Sequence, residues 1–262
     1  MTDVNHESRT SAAKGQYDVA RLPPRMLRGR LCPESFDLGG LTWRLEKDLK
    51  ADFFASTGRY VAPAGDGRRA CLKHYHTEPF MGILLGWAGR LMCRREVGFY
   101  RLLAGVPGVP RLLGRRGPSG FVHEWIDGAD LLDRRDRVPD DFFDRLDRLV
   151  RDLHARGVAY VDMNKPDNVL VGDDGRPYLV DFQISLRRPA RWNLAGLWLF
   201  GVLCREDLYH VRKLKRKFRR DLMSDEELAA SYERSALLSV HRVFAHPFQK
   251  LRRWALDRLG AR

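Results

Sequence analysis

The stretch from Leu153 to Ser185 constrains this chain more than any other part of it. It reads LHARGVAYVDMNKPDNVLVGDDGRPYLVDFQIS. Asp162 opens a polar loop that closes at Asn168, and the apolar run Val169 to Val171 follows at once. Gly172-Asp173-Asp174-Gly175 has turn composition, and a second apolar run, Tyr178 to Val180, ends at Asp181. This is a strand, turn, strand pattern with polar groups at the open end of the hairpin. Such a hairpin brings Asp162, Asn168 and Asp181 together. Carboxylate and amide oxygens in that arrangement suit Mg²⁺, which takes few protein oxygens and completes its shell with water and phosphate.

The segment resembles the catalytic core of the protein-kinase-like phosphotransferases. That superfamily carries His-Arg-Asp, a short loop ending in Asn, then Asp-Phe-Gly. Tyr160-Val161-Asp162 stands at the first element, Lys165-Pro166-Asp167-Asn168 at the second and Asp181-Phe182-Gln183 at the third. Leu153-His154-Ala155-Arg156-Gly157 resembles the approach to that loop. The specificity lies in the order of the elements, since Asp-Phe alone means nothing. The chain departs from ordinary protein kinases in several ways. The loop is one residue longer, Tyr160 replaces His, Gln183 replaces Gly, and no Ala-Pro-Glu signature follows Asp181. The resemblance is therefore to the small atypical kinases, the lipopolysaccharide core (Kdo/heptose) kinases and the RIO-type kinases.

That resemblance implies an α+β, two-lobed protein-kinase-like fold. It has a small antiparallel-sheet lobe over residues 38–128, linker included, and a mainly helical lobe over 129–262 with a basic tail. Residues 1–37 are polar and aperiodic and are expected to form a flexible arm. Strands are expected at Leu41–Leu49, Phe53–Ala62 and Arg69–Tyr75, and a hairpin at Arg111–Leu113 and Phe121–Ile126. Helices are expected at Leu91–Leu103 and Asp140–His154, both with apolar residues on one side. After Ser185 the chain turns helical and basic. Trp192 to Cys204 is expected as buried helix, His210 to Arg220 as a basic helix face, and 241–259 as a basic amphipathic piece. The glycine-punctuated run Phe80 to Trp87 fits a buried cap or a surface dipping into lipid.

The resemblance also implies roles. ATP and Mg²⁺ are the expected cofactors, with Asn168 and Asp181 as metal ligands. Asp162 is the candidate base or orienting group for an acceptor hydroxyl, and Lys165 the candidate cation over the transferred phosphate. Lys73 follows Ala70-Cys71-Leu72 and resembles the strand lysine that grips nucleotide phosphates, with Glu96 as its acid partner. Glu124 to Ile126 resembles the linker that meets adenine through its backbone. No Gly-x-Gly-x-x-Gly precedes Lys73, so Ser56-Thr57-Gly58 is the only candidate for a phosphate-covering turn, with Gly58 as its binding residue.

Charge bounds the partners. Lys and Arg total 47 against 34 acids, a formal +13. That excess favours an anionic acceptor such as a lipid-linked sugar, or equally reflects a basic surface with no particular partner. Nucleic acid is disfavoured because aromatic residues are sparse in the basic run. Four cysteines, Cys32, Cys71, Cys93 and Cys204, show no paired spacing, which fits a reduced cytoplasm. The longest apolar stretch, Leu194 to Cys204, falls short of the roughly 20 residues a membrane span needs. The expected setting is cytoplasmic, with peripheral contact at the inner face of the membrane left open. The expected function is phosphorylation of a hydroxyl, on a lipopolysaccharide core sugar in the first reading. The alternatives are a RIO-like serine/threonine protein kinase or ATPase, and a non-catalytic pseudokinase binding module.

Overall fold

The structure, a computed structural model, describes residues 32–51, 54–63, 67–77, 86–134 and 138–232. The first lobe is a six-stranded antiparallel sheet. Its strands are β1 (Ser35–Leu38), β2 (Leu41–Ala51), β3 (Ala55–Val61), β4 (Arg69–Tyr75), β5 (Leu112–Arg116) and β6 (Gly120–Glu124), in the order β1-β2-β3-β4-β6-β5. Side chains alternate between the faces of a strand. One face buries Phe36, Trp43, Tyr60, Leu72 and Val122 in a small core of its own. The other carries Lys73 and Tyr75 toward helix α1 (Gly86–Leu102), which buries Cys93, Glu96, Val97 and Tyr100.

The second lobe is built on α2 (Phe142–Ala155). All its core-facing residues, from Phe142 and Phe143 through Leu146, Leu149 and Val150 to Leu153, are buried as the helical spacing predicts. After it come β8 (Val158–Ala159), a 3₁₀ turn at Pro166–Asn168, β9 (Val169–Gly172), β10 (Pro177–Leu179) and β11 (Leu186–Arg187). A third helix, α3 (Leu194–Phe218), and a short α4 (Asp225–Ala230) complete the described part. Ser224 caps α4 by accepting from the Glu227 backbone N–H. The hairpin expected around Gly172–Gly175 is present: β9 and β10 pair antiparallel, with Leu170 opposite Tyr178. The short strand β7 (Gly128–Asp130) carries the chain between lobes by pairing with β9. The larger core runs unbroken from α1 into the second lobe.

The sequence reading needs correction at its edges. Residues 32–37, assigned to the arm, belong to the sheet lobe. Cys32 and Phe36 are buried, and β1 pairs with β2 from Ser35 onward. The Tyr60 hydroxyl fixes this entry by donating to the Pro33 carbonyl at 2.6 Å. The start of α3 is not a buried helix. Trp192, Leu194 and Trp198 are 84%, 75% and 55% exposed, and only Phe200 and Val202 are buried before Asp207. Apolar content set that expectation, but Trp192 lies ahead of α3, Leu194 and Trp198 project from its first turns, and the stripe that meets α2 starts further along. Residues 1–31, most of the run from Phe80 to Trp87 and the 241–259 piece lie outside the described residues, although Trp87 is exposed on α1.

Candidate functional site

A cleft of about 370 Å³ lies between the lobes. Lys73, Glu96, Asn168 and Asp181 all line it, although they come from β4, α1, the 3₁₀ turn and the end of the β9–β10 hairpin. Lys73 is the centre of the arrangement. Its Nζ lies 2.9 Å from Glu96 Oε2 and 2.8 Å from Asp181 Oδ1, so one ammonium joins both lobes. Burial alone would lower its pKa, but the Glu96 and Asp181 charges outweigh that and hold it above its ordinary value, so it stays cationic. Glu96 is fully buried and accepts from Lys73, from the Tyr75 hydroxyl and from the Phe182 backbone N–H. Three donors compensate a carboxylate whose own pKa burial pushes up against the pull of Lys73.

Asp162 stands beside this group. Its Oδ2 accepts from Lys165 Nζ at 2.6 Å and from Asn168 Nδ2 at 2.9 Å. The two aspartates are tuned in opposite directions. Burial raises the pKa of Asp162, only partly countered by Lys165 and Asn168. Burial would also raise that of Asp181, but the charge and hydrogen bond of Lys73 outweigh it and hold Asp181 below its ordinary value. Asn168 uses its amide N–H₂ on Asp162, which leaves its carbonyl oxygen for a cation. Among the described residues no group of three or more His, Cys, Asp or Glu side chains is placed to bind a metal on its own. One carboxylate and one amide oxygen suit a hard ion that takes its other ligands from phosphate and water, as Mg²⁺ does.

The backbone here is strained, and the second lobe holds it. Val161 and Asp181 have positive φ, 71° and 63°. For the β-branched Val161 this is an outlier that costs about 1–3 kcal/mol and persists only where neighbours enforce it. The enforcing group is Asp207 on α3. It is fully buried and accepts from the backbone N–H of Tyr160 at 2.8 Å and of Val161 at 2.7 Å, with His154 Nε2 at 2.9 Å. The Tyr160 hydroxyl donates to the Val180 carbonyl, next to Asp181. Its ring packs edge-on against Phe182 at 5.3 Å. Phe182 meets Tyr100 at 5.2 Å, and Tyr100 stacks on His123 at 5.3 Å. This aromatic column crosses from one lobe to the other behind the cleft.

Two expected nucleotide contacts are revised. Gly58 is not in a covering turn: it sits inside β3 opposite Leu72, and strand alternation turns it to the far face of the sheet. A Cβ there would lie 2.9 Å from both Cys32 Sγ and Leu45 Cδ1, so Gly58 makes room for the small core. The cleft is covered instead by Thr57 and by Leu49 and Lys50 on the irregular end of β2, where register shifts interrupt the pairing with β3. Glu124, expected to meet the nucleotide through its backbone, is not among the residues that line the cleft, and its side chain is exposed. Its N–H donates to the Arg111 carbonyl, and its carbonyl accepts from His123 Nδ1 at 2.8 Å. Ile126 does line the cleft, with Trp125 and His123. Thr57, part of the expected Ser56-Thr57-Gly58 segment, lines the cleft, whereas sequence reasoning missed Lys50, His123 and Asp207. Only Asp207 left a signal, a carboxylate on the apolar stripe it shares with Val211 and Leu214.

No protein-family model and no curated protein matches the sequence. Among solved structures the chain is similar to the Rio2 kinase of Chaetomium thermophilum, determined as an ADP/Mg²⁺-phosphoaspartate complex, with a TM-score of 0.53 and 14% identity. The match covers 73% of this chain and 58% of that one. The fold and the two-lobed cleft thus define a molecule of the protein-kinase-like fold. The match stops at about three-fifths of the Rio2 kinase chain's length, so it carries the architecture and not that protein's activity.

Proposed function

We propose that this chain transfers the γ-phosphoryl group of ATP, with Mg²⁺, to a hydroxyl. The observation that carries this reading is Lys73 bridging Glu96 and Asp181 in a cleft that also presents Asn168 and adjoins Asp162. Phosphoryl transfer requires little covalent chemistry from a protein. It needs charge neutralised on the phosphates and a nucleophile held in line. Lys73 supplies the fixed cation for the nucleotide phosphates, and Glu96 keeps it oriented. Asn168 and Asp181 would hold Mg²⁺, which when bound would neutralise phosphate charge. Asp162 takes the acceptor's proton, its raised pKa making it a better base than an exposed carboxylate. Lys165 lies at hydrogen-bond distance from Asp162 and follows the charge that develops on the phosphoryl group. Trp125 and Ile126 meet the base of the nucleotide.

The acceptor in this reading is small and not an extended peptide. Only residues 182–193 separate Asp181 from α3, and they contain β11, which pairs back onto β8, so no long segment lies ready to hold a peptide. A lipopolysaccharide core sugar remains the particular acceptor we favour, on the strength of the atypical catalytic motifs. A second reading has specific support: the phosphoaspartate in the Rio2 kinase complex makes an ATPase with a phosphorylated site aspartate, or a RIO-like protein kinase, the runner-up.

The test is transfer of labelled γ-phosphate from Mg·ATP by the purified chain into separated lipid-sugar, protein and RNA fractions, with Asp181→Asn as control. Label in the lipid-sugar fraction that the control loses is the expected result. Label that stays on the chain and is released by hydroxylamine, as an acyl phosphate is, supports the runner-up. Absence of transfer with ATP binding intact overturns both and leaves a nucleotide-binding module.

A further inference from the structure

The basic run on α3 divides into two sets. Lys215 is paired with Asp144 and Glu227, and Arg219 with Asp140 and Asp221. Lys213, Arg216 and Lys217 have no carboxylate within ion-pair distance among the described residues. Instead they line a separate cavity of about 270 Å³ with His210, and its opposite wall is the catalytic loop at Met163, Asn164 and Pro166. The two walls are tied together, because Lys213 Nζ donates to Asn164 Oδ1 at 2.7 Å. Arg216 is held rigidly by the Ser231 carbonyl and hydroxyl and by the Tyr232 ring. The Nδ1 atom of His210 is buried with no hydrogen-bond partner, and such an orphan needs an explanation. Burial, with the Lys213 charge, lowers that imidazole's pKa to about 4 against the opposing effect of Asp207, so the ring is neutral and can donate one N–H.

Three cations without a carboxylate partner around one concavity describe an anion site. Asn164 lies two residues from Asp162, so by the Cα spacing of the chain the two backbones are within about 7.6 Å of each other. The cavity's volume, about 270 Å³, is on the scale of a small molecule such as a sugar phosphate. We propose that this cavity is the acceptor-anchoring site: it holds a phosphate or carboxylate of the acceptor while the acceptor's hydroxyl reaches Asp162. The proposal rests on the phosphotransferase reading and narrows the acceptor to an anionic, sugar-sized molecule. It also separates the function of Lys213 and Lys217 from that of Lys73, which serves the nucleotide.

The experiment is calorimetric titration of the full-length chain with glucose 6-phosphate, glucose and inorganic phosphate, in the presence of saturating Mg·ADP. It is repeated on Lys217→Glu, an exposed position, and on Lys213→Gln. The expected result is binding of the two phosphates but not of glucose, weakened about tenfold or more in each variant. Mg·ADP affinity should be unchanged. Equal phosphate affinity in Lys217→Glu, displacement of phosphate by Mg·ADP, or no phosphate binding at about 10 mM overturns the proposal. Should Mg·ADP fail to bind while phosphate binds in a Lys217-dependent way, the anion site stands and the phosphotransferase reading falls.

Discussion

Asp162 and Asp181 belong to one site, yet they affect the folded state in opposite ways, which makes them separable by experiment. The pKa of Asp162 is raised by burial, so its ionised form is disfavoured in the fold. Stability is therefore lost as pH rises from its unfolded-state pKa through its folded value. Asp162→Asn should raise the melting temperature at neutral pH, and the gain should vanish in acid, where both states hold the proton. Asp181 is held low by Lys73 once burial is outweighed. Its contribution is present above the unfolded pKa and lost as pH falls, so Asp181→Asn should lower the melting temperature at neutral pH. Thermal scans across pH check both signs. In turnover, Asp162→Asn should cost about 10²–10⁴-fold with nucleotide affinity retained. The acid limb of kcat/KM should lie above an ordinary carboxylate's pKa. Lys165→Met removes a group that lowers the Asp162 pKa and should move that limb further up, as a rate–pH profile will record. The identities of these residues were legible in the sequence because the motif is local and ordered. The opposite tuning was not, because it depends on Lys73, which lies far away in the chain.

At the scale of elements, the strained loop and the helix beneath it act as one unit. Val161 holds its positive φ because Asp207 on α3 accepts its N–H and that of Tyr160. Asp207→Ala orphans both, at roughly 1–3 kcal/mol for each buried N–H. Asp207→Asn keeps one acceptor and should recover part of that. Denaturant midpoints measure the loss, and a fall in kcat with nucleotide affinity retained would tie it to the loop. Gly128, where the chain passes between lobes, is a second such point. Its φ is 155°, and a Cβ would meet the Val171 carbonyl oxygen at 2.3 Å. Gly128→Ala should therefore destabilise the β7–β9 pairing by about 1–3 kcal/mol, again read from unfolding midpoints. Periodicity located α2 and the β9–β10 hairpin closely, since both bury a regular face. It failed at Gly58, where a glycine that reads as a turn serves to admit Cys32 to the back of the sheet. It failed again at Leu194 and Trp198, because apolar identity does not reveal which side of a helix meets the core.

Across the whole molecule, the lobes share one continuous core and are joined by varied polar and aromatic contacts. Lys73 reaches Asp181, the Arg95 guanidinium donates to the Ser185 carbonyl at 2.5 Å, and Tyr100 packs on Phe182. Lys73→Met removes the cation that pairs with both Glu96 and Asp181 and leaves these two carboxylates facing each other unneutralised. Nucleotide affinity and turnover should both fall sharply, while Lys217→Glu should leave nucleotide affinity unchanged; equilibrium titration with labelled nucleotide separates the two. The two-lobed plan was readable from the sequence because the ordered motifs resemble those of a two-lobed family. The anion cavity was not, because it forms only when α3 is laid against the catalytic loop, and a run of lysines says nothing about which of them lack partners.

The aromatic column ends at His123, and that has a consequence for drug-like ligands. Burial, opposed by its bond to the Glu124 carbonyl, brings its pKa to about 4, so the ring is neutral at physiological pH. Because Nδ1 donates to that carbonyl, Nε2 is left as the acceptor. The rear wall of the cleft therefore carries a hydrogen-bond acceptor. An inhibitor with a donor at its inner end should gain selectivity over cavities whose rear wall is apolar, a preference that His123→Leu would abolish.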